Sequence, residues 1–282
     1  MTTNSQIILN GILDHHRKDA DPEADPSSFF EFFTAQQILK DFDLSYDEID
    51  AGLVGGSDDG GIDSFYILVN GDLVREDSEY EHLKKDVVID LVIIQSKRQP
   101  SFKETPVERF ITASNDLFDL SHTASLSDVY NEHLAEAIYR FHSLYRGLSP
   151  SFPQLNISFY YASMGTTPSK NIKRKASMLR ELVKEQFPHS NYNFTFIGAS
   201  ELLELANRQP NTTFTLPLAE TPIASENQVG YVCLVRLQDY FDLISDGSGM
   251  LQRHLFEANV RDYQGHTQVN DEIQESPSRS WI

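Results

Sequence analysis

A single cysteine, Cys233, among 282 residues excludes an internal disulfide and any multi-cysteine zinc site. No run of 18 apolar residues occurs, so no membrane span is expected. The opening residues, MTTNSQIILNGILDHHRK, lack a basic start followed by a long apolar stretch and a small-residue cleavage site. No secretory signal is read there, and a cytoplasmic location is the expectation. Positive charge is the other shortage: 23 Lys and Arg face 42 Asp and Glu, for a formal net charge of −19. The deficit is regional. Residues 1–104 carry 9 basic against 22 acidic side chains, residues 105–215 carry 10 against 10, and residues 216–282 carry 4 against 10. A surface of this sign repels nucleic acid at long range, so a nucleic-acid partner requires a local basic patch or a second protein that supplies one.

What is present suits a folded protein. Hydrophobic residues make up 40% and charged residues 23%, an ordinary globular composition with room for a real core. Residues 19–28 (DADPEADPSS) are acidic and Pro-bearing and predict a loop, with Ser27 or Ser28 capping a helix over Phe29–Lys40. Five glycines then fall between Gly52 and Asp63, a density that marks tight turns or a close backbone approach. Ile62–Val69 predicts a strand, and Asn70-Gly71 a hairpin. The branched apolar run Val87–Ile94 predicts a central strand covered on both faces, closed by Pro100. Further helices are predicted from Thr105, over about Ser127–Tyr145, over Pro168–Phe187 and over Ser200–Asn207 (capped by Ser200), with strands at Ile157–Ala162 and Phe194–Ile197. This order gives an α/β fold with a mixed sheet flanked by helices. A boundary is placed near 215, and YVCLVRLQDYFDLI beyond it is a further strand-to-helix segment with Cys233 buried in the strand.

One constellation carries chemistry. Strand periodicity of two sets Gln95 and Lys97 on one face while Ser96 faces away. If Asp63, just after Gly60-Gly61, lies on a neighbouring strand, a carboxylate, an amide oxygen and an ammonium meet at one strand end. Hard oxygen ligands hold Mg²⁺, a bound metal polarises a phosphate and helps generate hydroxide, and a nearby cation stabilises developing negative charge. Glu31, on the first predicted helix, is a candidate fourth group. Plainer readings remain open: Asp63 as a turn carboxylate, Gln95 and Lys97 as the polar fringe of a buried strand, Glu31 as a solvent-side acid. Lys170, Lys173 and Arg174 share a helix neighbourhood suited to phosphate contact or to a solvated face. Arg98 extends the polar end of the central strand. The adjacent His15 and His16 face different ways on a helix and are expected to be exposed.

The GGID segment at 60–63 and QSK at 95–97, in the order strand, strand, helix, resemble the PD-(D/E)XK nuclease superfamily in its Asp…Gln-x-Lys variant, as in Mrr-like restriction endonucleases. The gap of 32 residues between Asp63 and Gln95 exceeds the compact form of that motif, and the Asn70-Gly71 hairpin accounts for the excess. The resemblance implies a restriction-endonuclease-like domain over 1–215, with Asp63 and Gln95 as ligands of Mg²⁺ (Mn²⁺ as a substitute), Lys97 as the catalytic lysine and Glu31 as the first-helix acid. Its expected partner is nucleic acid, DNA ahead of RNA, with Arg98, Lys170, Lys173 and Arg174 as contacts.

Near the other end, LFEANVRDYQGHTQVNDEI (255–273) is similar to the signature of the abortive-infection phage-resistance (AIPR) family. That likeness implies antiphage defence, with a homo-oligomer or a defence-system protein as further partner. It also implies that 216–282 is the first part of a longer AIPR-like domain, a short, incomplete α/β segment. The function implied by both likenesses is an Mg²⁺-dependent endonuclease, and the alternative is a catalytically inactive nuclease fold that senses or scaffolds a protein partner.

Overall fold

The computed structural model describes residues 2–208, apart from positions 21, 43, 76–77, 79, 81–82 and 122–124, together with residues 215–224 and 231–245. The chain divides into two compact units, Met1–Arg208 and Gln209–Ile282.

In the first unit, helices α1 (Asn4–Ala20), α2 (Pro26–Ile38) and α3 (Tyr46–Asp50) precede strands β1 (Ser64–Val69), β2 (Asp72–Leu73) and β3 (Val88–Lys97). Helices α4 (Glu104–Phe118) and α5 (Glu132–Leu148), strand β4 (Gln154–Ser163), helix α6 (Lys170–Gln186), strand β5 (Asn191–Ile197) and helix α7 (Ala199–Asn207) complete the unit. The strands form one sheet in the order β2-β1-β3-β4-β5. β1 runs antiparallel to β2 and β3, while β3, β4 and β5 are parallel. The expected α/β fold with a mixed, helix-flanked sheet is what the chain adopts.

Strand parity explains the layers. Ile89, Leu91 and Ile93 of β3 alternate with Val92 and Ile94 and feed two separate cores. The first lies against α4, α5 and α6, around Phe110, Phe141, Phe159 and Leu179. The second lies against α2 with Ala35, Leu39 and Tyr66, and a third joins α1, α2 and α7 through Leu9, Phe30, Phe33 and Leu202. The apolar run of β3 therefore reflects cover on both faces. The Asn70-Gly71 hairpin is present, with both residues at positive φ (54° and 94°), the geometry that matches the right-handed twist of the flanking strands.

Several boundaries differ from expectation. α1 is a helix absent from the expected elements. α2 starts at Pro26 because Asp25, rather than Ser27 or Ser28, is the cap: its carboxylate accepts from both serine amides. α5 begins at Glu132, since Asn131 caps it by accepting from the Leu134 amide. Ser200 lies inside α7, which is preceded by Gly198, whose amide donates to Glu201. His15 and His16 are exposed on α1.

In the second unit, β6 (Ile223–Ala224) pairs antiparallel with β7 (Tyr231–Val232), and α8 (Leu237–Ile244) comes after them. Cys233 lies just past β7 and is exposed, correcting the expectation of a buried strand residue; β7 ends at Val232, one residue short of including it. The AIPR-like stretch 255–273 lies outside the described residues. Among those described, no helix is long and apolar enough to cross a membrane.

Candidate functional site

The register fixes where the candidate residues meet. Ser64 at the start of β1 faces Ile94 near the end of β3, and Lys97 at that end faces Ser163 at the end of β4. The entry to β1 and the exits of β3 and β4 therefore share one rim of the sheet. A glycine loop leads the chain into that rim. Gly60 and Gly61 both have positive φ (60° and 80°), and a Cβ on Gly61 would stand 2.6 Å from Arg109 Cβ of α4. Glycine is required there both by backbone conformation and by space.

The loop is pinned from α5. Asn131 Nδ2 donates to Val54 O (2.9 Å) and Ser57 O (3.2 Å), and the Asn131 amide donates to Asp58 O (2.9 Å). Asp59 closes the turn by accepting from the Gly61 amide at 2.7 Å. These groups deliver Asp63, whose amide donates to Ile94 O at 2.9 Å.

Asp63 is 1% exposed. Its Oδ2 accepts from the Ser96 amide at 2.6 Å, and Lys97 Nζ lies 3.1 Å from Oδ1 and 3.2 Å from Oδ2. Burial raises the Asp63 pKa above the ordinary carboxylate value, against the opposing pull of Lys97 and the Ser96 amide. Glu31 arrives from α2, on the far side of the loop. A Cβ on Gly55 would lie 3.1 Å from Glu31 Oε2 and 3.5 Å from Asp63 Cα, so the Glu31 carboxylate overhangs the Asp63 backbone. Its pKa is raised from 4.5 to about 7, first by burial and then by the Asp63 charge, with Lys97 acting the other way. Glu31, Asp63 and Lys97 thus form one electrostatic unit.

Gln95 stands beside this unit without joining it. The side chain is fully buried, and neither its amide oxygen nor its nitrogen has a hydrogen-bond partner. Its Nε2 lies 3.1 Å from where a Gly61 Cβ would be, in the neighbourhood of the Arg109 stem. A buried amide with both ends unsatisfied costs stability and calls for a partner.

The remaining expected contacts are dispersed. Arg98 bonds Asn10 (3.2 Å) and Asp14 (3.1 Å) of α1. Lys170, Lys173 and Arg174 are exposed on the first half of α6. Asn131, Asp59 and Arg109 are site residues that sequence reasoning missed. An Asp-x-Gly turn is an available signal for Asp59; Asn131 falls inside the helix expected from about Ser127, which hides its role as a cap, and nothing local marks Arg109.

Among the described residues, no group of three His, Cys, Asp or Glu side chains is placed to hold a metal ion. The candidate ligand set is therefore two carboxylates, Glu31 and Asp63, and the Gln95 amide. It fits a divalent cation in two respects: the Asp63 charge raises the proton affinity of Glu31, and the nearby Gln95 amide oxygen is orphaned. No family model, curated protein or solved structure matches the chain.

Proposed function

We propose that this chain is an Mg²⁺-dependent endonuclease that hydrolyses phosphodiester bonds, DNA ahead of RNA, in antiphage defence. The observation that supports it most is the buried Asp63–Lys97 pair beside Glu31, whose proton affinity is raised to near neutrality. Asp63, Glu31 and Gln95 Oε1 would hold Mg²⁺, or Mn²⁺ in its place. When bound, the cation would polarise the phosphate and lower the pKa of a water. Lys97, with its side chain 28% exposed, offers an ammonium to negative charge developing on the phosphate oxygens. Glu31 holds its proton up to about pH 7 in the absence of metal, so cation binding there displaces that proton and strengthens as pH rises. The PD-(D/E)XK-like motif and the AIPR-like stretch at 255–273 support the assignment to defence. The test is cleavage of DNA and RNA with Mg²⁺ by the wild type and by Lys97→Ala. Equal activity in the two overturns the reading.

A second reading has its own support. The Lys97 ammonium already compensates Asp63, and Gln95 is wholly enclosed, which suits a nuclease-like fold that binds a protein partner without catalysis. No Mg²⁺ binding by calorimetry, together with a stable complex with a second protein, would favour it over the first.

A further inference from the structure

The rim that carries Asp63 and Lys97 adjoins a set of exposed cations that form no ion pair with the described residues, although the chain as a whole is at −19. The loops entering α4 and α6 touch: a Cβ on Gly165 would stand 2.8 Å from Ser101 Cα. Past these loops the helices lie side by side. Lys175 of α6 bonds Glu104 (2.5 Å) and Glu108 of α4, and Glu104 also feels Arg174. Those two carboxylates are therefore cancelled by two cations. Lys103, Arg109, Lys170 and Lys173 are exposed and form no ion pair with the described residues. Arg109 joins the strip to the site, because its aliphatic stem lies on Gly61, next to Gln95 and two residues before Asp63.

We propose that this α4–α6 strip, with Arg109 as its inner end, binds the sugar-phosphate backbone of a nucleic acid and leads it to the Asp63 rim. The proposal rests on the nuclease reading for its direction, and on the charge layout for its existence. Four uncompensated cations at or within two turns of the starts of α4 and α6 supply the local attraction that an otherwise acidic surface lacks. Contacts of this kind hold a backbone without reading bases.

The test is fluorescence anisotropy with a labelled duplex DNA and a labelled single-stranded RNA, in EDTA so that no cleavage occurs, across a salt series. The triple variant Arg109→Ala/Lys170→Ala/Lys173→Ala is expected to lose on the order of 100-fold in affinity for whichever oligonucleotide binds at ~0.1 M salt, and its log–log salt slope falls by about 2–3. Lys84→Ala/Lys85→Ala/Arg146→Ala removes three exposed cations elsewhere and is expected to bind as the wild type does. No binding by the wild type, or equal loss in both triples, overturns the proposal. Binding that depends on the strip but never leads to cleavage on adding Mg²⁺ would sink the endonuclease reading and leave this one standing.

Discussion

Replacing Glu31 by Gln keeps the shape of the side chain and removes its titration, so it isolates what the overhanging carboxylate does. The Glu31 pKa is raised from 4.5 to about 7, by burial first and by the Asp63 charge second. A folded-state value above the unfolded one means that the native state holds the proton more tightly. The resulting stability is complete below about pH 4.5 and is lost as pH rises through about 7. The ceiling on that loss is about 3 kcal/mol at 1.36 kcal/mol per pH unit. The carboxyl is only half-buried, and solvent screening brings the expected figure to about 1–2 kcal/mol. In EDTA, the wild type should therefore lose about that much stability to urea between about pH 5 and pH 8. Glu31→Gln should change less over that range and be the more stable protein at its upper end. Saturating Mg²⁺ should reverse the order. A ligand bound only to the folded state stabilises it by about 2.7 kcal/mol at a hundred times its Kd, and the Gln variant, with one anionic ligand fewer, should gain less. Parallel pH profiles for the two proteins would refute the electrostatic argument. Equal stabilisation by Mg²⁺ would remove Glu31 from the cation site.

Lys97→Ala leaves the buried Asp63 carboxyl without its ammonium partner, and should cost about 3–5 kcal/mol at neutral pH by chemical denaturation. The double variant Asp63→Asn/Lys97→Met should recover most of that stability and no cleavage, separating the fold from the chemistry. Gln95→Leu replaces two unsatisfied polar atoms with an apolar group of similar size. It should be neutral or raise stability by about 1 kcal/mol, while weakening Mg²⁺ binding measured by calorimetry; unchanged binding would strike Gln95 from the ligand set. Asn131→Ala removes the cap of α5 and two bonds to the glycine loop. It should lose about 2 kcal/mol and speed amide exchange in residues 54–61, while Lys97→Ala should leave exchange there close to that of the wild type.

The layer order is legible because it is written in burial periodicity. An unbroken branched run for β3, alternating strands and one-sided helices can be read without knowing any contact. α1 escapes such a reading because its Ile7 and Ile8 are exposed while Leu9 and Leu13 are buried, so its apolar residues do not mark a single face. The starts of α2, α5 and α7 shift because polar side chains rather than the apolar spacing decide them: Asp25 and Asn131 just before their helices, and Glu201 in the first turn of α7. Cys233 departs from expectation because apolar neighbours suggest a strand without telling how long it is.

The candidate site shows a sharper limit. Period two correctly puts Gln95 and Lys97 on one face, yet they occupy different environments two residues apart. Gln95 is under the cover of α4 and the glycine loop, and Lys97 is beyond it, partly in solvent. Parity gives direction; the distance from a strand residue to the sheet's rim depends on what the neighbouring loops cover. Those loops are set by contacts far apart in the chain, such as Asn131 holding Ser57 and Arg109 lying on Gly61. Glu31 is a parallel case. Helical spacing says that it lies between buried phenylalanines, and only the tertiary path of the loop through Gly55 sets its carboxylate over Asp63. A polar group at the end of a buried strand is therefore a candidate site by direction alone, and becomes a chemical one when a distant segment folds over it and raises the cost of its charge. Glu31 meets that condition through its raised proton affinity, and Gln95 through two orphaned atoms.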